Sequence, residues 1–198
     1  SRTTTPWWRG AAAATPGVAS VAVADGLPID LTGNFSRVSR VEDPEDSAQG
    51  AQVEFTRVGP GFFATIGTPV LLGRAVDRSD TPNSERVVVV SRDLADRLWR
   101  GEAAVGRQLR ISVSREAAVS HTVIGVVAEV ASSRPTEKWP QVFLPLSQNF
   151  DRPRLVLLVR GHSDPASLTH AIQSAILTVD PRFVFPAAET STALIARS

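Results

Sequence analysis

Short apolar runs alternate with polar, turn-rich breaks along the chain, and the spacing inside each run predicts its element. The plainest signal lies near the C-terminus. Leu168, Ala171, Ile172, Ala175, Ile176 and Val179 recur at the i, i+3, i+4, i+7, i+8, i+11 spacing of an amphipathic helix. Ser163-Asp164-Pro165 supplies its cap and first-turn proline, and Asp180-Pro181 ends it. Leu155–Arg160 upstream reads as a strand and Phe183–Phe185 downstream as a returning one. If these strands are parallel, their crossover is right-handed. Leu109, Ile111 and Val113 alternate with Arg110, Ser112 and Ser114, which predicts a half-buried strand. After a turn near Arg115–Ala118, His121–Val130 is expected to return as its hairpin partner.

The four valines Val87–Val90 form a run too apolar for a sheet edge. Ser91 caps a helix whose Leu94, Ala95, Leu98 and Trp99 share one face. At the N-terminus Thr5 caps and Pro6 opens a helix, Trp7 to Ala14, stopped by Pro16-Gly17. Val18, Val21 and Val23 follow as a strand closed by Asp25-Gly26 and Pro28. Gln52–Val58 reads as another strand. Pro60 then opens a short helix, Gly61 to Ile66, with Gly67 as its left-handed terminator, and Val70–Leu72 is a short strand. Asp77–Asn83 and Ala131–Pro140 read as loops, and Val142–Leu146 as a short strand. Residues 30–50, polar and broken by Gly33, Asn34, Pro44 and Gly50, are expected to be loop or a poorly ordered excursion. The class is mixed α+β, with no repeat of solenoid length.

A length of 198 residues allows one domain or two compact subdomains. The net charge of +1 offers no basic surplus for phosphate, so nucleic acid is not an expected partner. The longest uncharged run, Gly10 to Ala24, is interrupted by Thr15, Pro16 and Gly17 and does not read as a membrane span. The absence of cysteine removes disulfides, thiolate metal sites and thiol nucleophiles. The absence of methionine, with Ser1 first, suggests a piece excised from a longer product.

Catalytic signatures are missing. There is no phosphate-cradling G-x-x-x-x-G-K-[ST], no G-x-G-x-x-G after a strand and no G-x-S-x-G elbow, and Lys138 is the single lysine. His121, His162 and His170 lack metal-helix spacing and read as structural or exposed. Asp77-Arg78-Ser79-Asp80 lacks the ligand ladder of a calcium loop and reads as a turn. Asn34-Phe35-Ser36 matches a glycosylation acceptor, a pattern short enough for chance. Trp99 belongs to a core stripe, and Trp7-Trp8 is expected to pack on the body. Trp139, in a proline-flanked loop, is the candidate for contact with a partner.

One stretch is recognisable. Val58-Gly59-Pro60-Gly61-Phe62-Phe63-Ala64-Thr65-Ile66-Gly67, followed by Leu71-Leu72-Gly73-Arg74, resembles the signature of MacB-type periplasmic core domains. Asp80, then Arg86–Ser91, then Leu94-Ala95-Asp96-Arg97-Leu98-Trp99 keep that family's order. Glu102, Val105-Gly106-Arg107, Val123-Ile124-Gly125, Val142–Leu146 with Pro145, Leu158–Arg160 and Val179-Asp180-Pro181 complete it. The variant is most similar to duplicated permeases of the MacB/FtsX-like superfamily; Gly61 departs from the polar residue common there.

The resemblance implies two lobes. A discontinuous porter-like lobe, half of a ferredoxin-like unit, would comprise residues 1–76 and 151–198, with a small inserted α/β (Sabre-like) lobe at 77–150. It also implies an extracytoplasmic domain of an ABC transporter permease on the periplasmic face of the bacterial inner membrane. Its partners would be transmembrane helices of the same permease and an ABC ATPase subunit, with a second copy of the domain or a periplasmic adaptor as further candidates. ATP would be bound by a separate cytoplasmic subunit or domain, with no cofactor held here. The domain would transmit ATP-driven change, as a rigid lobe pair on a hinge, without catalysis. The two termini would then emerge close together. The competing readings are a free-standing secreted recognition module and a hydrolase pairing Ser or Asp with a histidine.

Overall fold

The computed structural model describes residues 7–26, 34–44, 50–112, 118–130, 139–149, 155–182, 184 and 188–190. In chain order the elements are α1 (Trp7–Ala13), β1 (Val18–Ala24), β2 (Asn34–Arg40), β3 (Ala51–Val58), α2 (Phe62–Ile66), β4 (Val70–Gly73) and β5 (Val87–Ser91). Then follow α3 (Arg92–Trp99), β6 (Gln108–Ser112), β7 (Val119–Val127), β8 (Gln141–Pro145), a 3-10 turn (Leu146–Gln148), β9 (Val156–Gly161) and α4 (Pro165–Val179). The class is α+β.

The strands run in the order β2-β6-β7-β5-β8-β3-β1-β9, with β4 on β7. β2 also pairs with β3, so six strands close a ring. The closure is staggered: residues 34–38 of β2 pair with β3, and residues 37–40 with β6. The pairs β3–β8 and β5–β7 are parallel and the other pairings antiparallel. Inside the ring the alternate residues Val53 and Phe55, Val88 and Val90, Leu109 and Ile111, and Val142 and Leu144 meet in one core. Leu94, Ala95 and Trp99 of α3 join that core. Ser91 caps α3 by accepting from the Leu94 amide at 3.4 Å and accepts also from the Gln141 amide at 3.0 Å.

The segment 34–40 corrects the expectation of a loop across 30–50. Only Val38 gives Asn34–Arg40 an aliphatic inward position, so the alternation is too weak to be seen in one dimension. Pairing on both edges makes it a strand. The hairpin of β6 with β7 and the interior place of β5, between β7 and β8, stand as expected. The caps expected of Thr5 and Pro6, the return strand Phe183–Phe185, and most of Ala131–Pro140 lie outside the described residues.

Outside the ring, β1 and β9 pair antiparallel along their length and form a second layer. Its outer face carries α1 and α4: Ala12, Val21, Leu168, Ile172 and Ile176 form a core that Trp8, Leu157 and Val159 flank. Asp164 caps α4 by accepting from the Ser167 amide at 3.0 Å, with Pro165 in the first turn. A surface groove of about 360 Å³ runs along α4, where Thr169, His170 and Gln173 face Glu189 and Thr190. Both ends of the described chain therefore lie against α4. No helix among the described residues is long and apolar enough to cross a membrane.

Candidate functional site

One part of the signature, Val58 to Gly67, lies where the closed ring of strands, a small barrel, meets the β1–β9 layer. β3 ends there, with Val58 opposite Ala24 of β1 and opposite Pro145 of β8. The Gly59 amide donates to the Val23 carbonyl at 2.7 Å, and Pro60 follows in the turn. Gly61, at φ 85°, begins α2, and Gly67, at φ 81°, ends it. The amides of Gly67 and Thr68 both donate to the Phe63 carbonyl at 2.9 Å, which satisfies the helix end. α2 is only five residues long, so its stability comes from packing rather than propensity.

That packing is aromatic. Phe62 and Phe63 lie edge to face at 5.3 Å, and Phe63 meets Phe143 of β8 edge to face at 5.0 Å. The cluster draws Ala22 and Ala24 from β1, Val89 from β5, Val127 from β7 and Leu158 from β9. Burying each phenylalanine contributes about 1.5–3 kcal/mol relative to exposure. On the layer side, Arg160 Nε donates to the Thr65 carbonyl at 2.7 Å. A Cβ at Gly67 would stand 2.5 Å from Arg160 Nη2, so this glycine serves both its left-handed backbone and the arginine above it.

Two further signature glycines face each other across the β4–β7 pair. Gly73 stands opposite Gly125; a Cβ on the first would lie 2.2 Å from the Ile124 carbonyl oxygen, and one on the second 2.1 Å from that of Arg74. No other side chain fits either position without separating the strands. Arg74 then grips buried Asp80 in a two-pronged pair at 2.9 and 2.7 Å. Asp80 also accepts from the Asp77 amide at 2.9 Å, and its carbonyl accepts from Ser147 Oγ. The group Asp77–Asp80 is thus a braced turn. Asp77 is held below the usual carboxylate range by the hydroxyl and amide of Ser79.

The other singled-out residues lie apart from this joint. Trp99 is buried in the barrel core, Leu98 packs against it, and the Gly106 amide donates to the Val123 carbonyl at 2.8 Å. Asp180 closes α4, its amide on the Ile176 carbonyl at 3.0 Å, with Pro181 after it. Trp139 is half-buried, edge to face with Phe35 at 5.5 Å. It has an aromatic neighbour within the chain, and a contact with another protein remains a proposal. Of Trp7-Trp8, Trp8 packs on the α1–α4 core while Trp7 is 46% exposed.

Sequence reasoning missed the strongest polar contact of the joint. Asp25, just past β1, accepts from the Arg57 amide at 2.9 Å and from Arg57 Nη1 at 2.8 Å, with both side chains at most 2% exposed. Arg57 also lies over the Phe55 ring, 5.2 Å from its centroid. A charged residue inside the apolar run of β3 was the available signal; Asp25-Gly26 read instead as an ordinary turn.

The histidines do not assemble a reactive group. His121 is buried, with Nδ1 2.9 Å from the Val119 carbonyl, and burial lowers its pKa below the ordinary value. His162 and His170 are exposed. Among the described residues no histidine hydrogen-bonds a carboxylate or hydroxyl, and no cluster of three or more ligating side chains is suited to a metal ion.

Comparison with known proteins agrees with this geometry. The family model of the MacB-like periplasmic core domain matches residues 2–175. A search of curated proteins finds no match. Among solved structures, the extracellular domain of the noncanonic ABC-type transporter YknZ from Gram-positive bacteria superposes with a TM-score of 0.60 at 14% identity, covering 89% of this chain and 84% of that one. The periplasmic region of MacB from Actinobacillus actinomycetemcomitans gives 0.60 at 13%, covering 87% and 72%. A domain of a putative permease from Porphyromonas gingivalis gives 0.53 at 18%, covering 93% and 84%. These identities speak for a shared fold. With the family model spanning most of its length, the chain belongs to the MacB-like periplasmic core domain family.

Proposed function

We propose that this chain is the extracytoplasmic domain of an ABC transporter permease, and that it works mechanically, without catalysis. It carries ATP-driven movement of the membrane part to substrate on the outer side of the inner membrane. ATP is bound and hydrolysed by a separate cytoplasmic subunit or domain, and the transmembrane helices of the same permease are the immediate partners. A second copy of the domain or a periplasmic adaptor completes the assembly. In this reading residues 1–76 and 151–198 form the porter-like part and 77–150 the inserted part, with β2 and β3 bridging them into one sheet.

The observation that carries the proposal is the placement of the chain ends. α1 packs on α4 and Ala188–Thr190 line a groove along the same helix, so the described residues nearest the two ends lie in one layer while the barrel stands beyond it. A module inserted between two anchoring segments needs that arrangement. The buried charged groups fit a structural role as well: Asp25 pairs with Arg57, and Asp80 with Arg74.

The test is transport by the parent permease and its ATPase in membrane vesicles. Excising the codons for this chain should abolish ATP-dependent substrate movement and leave ATP hydrolysis measurable. A parent reading frame without hydrophobic spans, or undiminished transport after excision, would sink the proposal.

A further inference from the structure

We propose that the barrel and the β1–β9 layer move as one rigid body, the joint being a fixed coupling and not a hinge. This rests on the mechanical reading above and adds what kind of lever it requires. Three independent features lock the joint. The first is a shared strand. β3 pairs with β2 over residues 51–55, with β8 over 54–58, and at Val58 with Ala24 of the layer. Hinges form where a few loop or terminal residues absorb a backbone change, and a strand bonded on both edges has no such freedom.

The second lock is Asp25 with Arg57. The carboxylate sits at the end of the layer strand and the guanidinium in a barrel strand, and each is almost wholly buried. Rotating the layer away would strip a buried charge of its partner, a step far more costly than breaking a surface pair. The third is α2, wedged between the two parts. Its Phe62 and Phe63 share one cluster with barrel residues Val89 and Phe143 and layer residues Ala22 and Leu158. Arg160 ties the wedge to β9 through the Thr65 carbonyl. A displacement applied to α4 and β9 therefore reaches the barrel undiminished, and flexing belongs outside the two parts.

Because the chain has no cysteine, two spin labels report their separation without background. Labels at Ser174→Cys on the exposed flank of α4 and Asp96→Cys on the exposed face of α3 span the joint. The expected result is a single narrow distance peak that widens when Arg160→Ala is added. Arg160 is exposed, so this variant is expected to fold; Asp25→Asn in the same background is the second arm. Two peaks or a broad distribution in the otherwise unaltered labelled chain overturn the proposal. So does a width that both Arg160→Ala and Asp25→Asn leave unchanged. The distances are read without transport, so this inference can fail while export succeeds, and the reverse.

Discussion

The barrel and the outer layer solve the same burial problem differently. In the barrel, pairing on both edges of β2, β3, β5, β6, β7 and β8 leaves Val38, Val53, Val88, Leu109, Val123 and Leu144 all at 0% exposure. In the layer, β9 has one strand partner among the described residues and is half-buried over most of its length, and the apolar stripe of α4 runs out at Val179, 63% exposed. Closure shields both backbone edges and an interior, whereas a two-stranded layer depends on what leans against it. Stability is thus concentrated in the barrel, and the layer borrows it through the joint.

The largest expected effect is at the joint. Asp25→Ala removes the buried carboxylate that pairs with Arg57 and should lower unfolding free energy by about 3–5 kcal/mol, read by urea denaturation. Combining Asp25→Leu with Arg57→Met should recover much of that loss. If the single change costs under about 1 kcal/mol, the value of an exposed pair, the joint does not support the layer.

Next is Gly125→Ala, which drives a Cβ against the Arg74 carbonyl and should cost about 2–3 kcal/mol. Hydrogen exchange should show the β4 and β7 amides losing protection while those of β1 and β9 hold. Equal loss in both regions would erase the distinction between them.

A pH dependence sharpens the contrast from inside the barrel. Burial holds the His121 pKa below the ordinary value of about 6.5, with Arg86 the charged group acting on it and Leu109 opposite it on β6. Above that value the ring is neutral in both states and has no effect. Below it the unfolded chain binds a proton that the folded ring refuses until lower pH, so stability falls as pH drops. Asp43, lowered by Arg40, and Asp164, lowered by Ser167, contribute stability that is lost only at still lower pH, in the carboxylate range. Melting temperatures of the chain and of His121→Leu should therefore diverge between about pH 6.5 and the onset of carboxylate protonation. Coincident profiles would place the ring in a wetter site.

The smallest effect tests the layer. Val179→Ser should change stability by less than about 0.5 kcal/mol although Val179 continues the helical stripe, because its side chain is mostly exposed among the described residues. A loss as large as that of a core valine would show that the stripe is covered in solution.

Most elements could be read along the chain because their signals are local. Helical spacing marks α3 and α4, strict alternation marks β6, and a left-handed glycine ends α2. The signature residues were likewise visible as a motif, but their purposes were not. Gly73 and Gly125 are 52 positions apart, and each is explained by the backbone opposite it. Gly67 is explained in part by Arg160, far along the chain.

By itself, then, the sequence determined the α+β class, the caps of α3 and α4, the glycine that ends α2, the buried place of the four valines and the family motif, all set by short-range sterics and periodicity. Only the tertiary structure decided that Asn34–Arg40 is a strand, that six strands close a ring, and that Asp25 finds Arg57. Each of those outcomes depends on which groups lose water together, and that is fixed by partners distant in the chain.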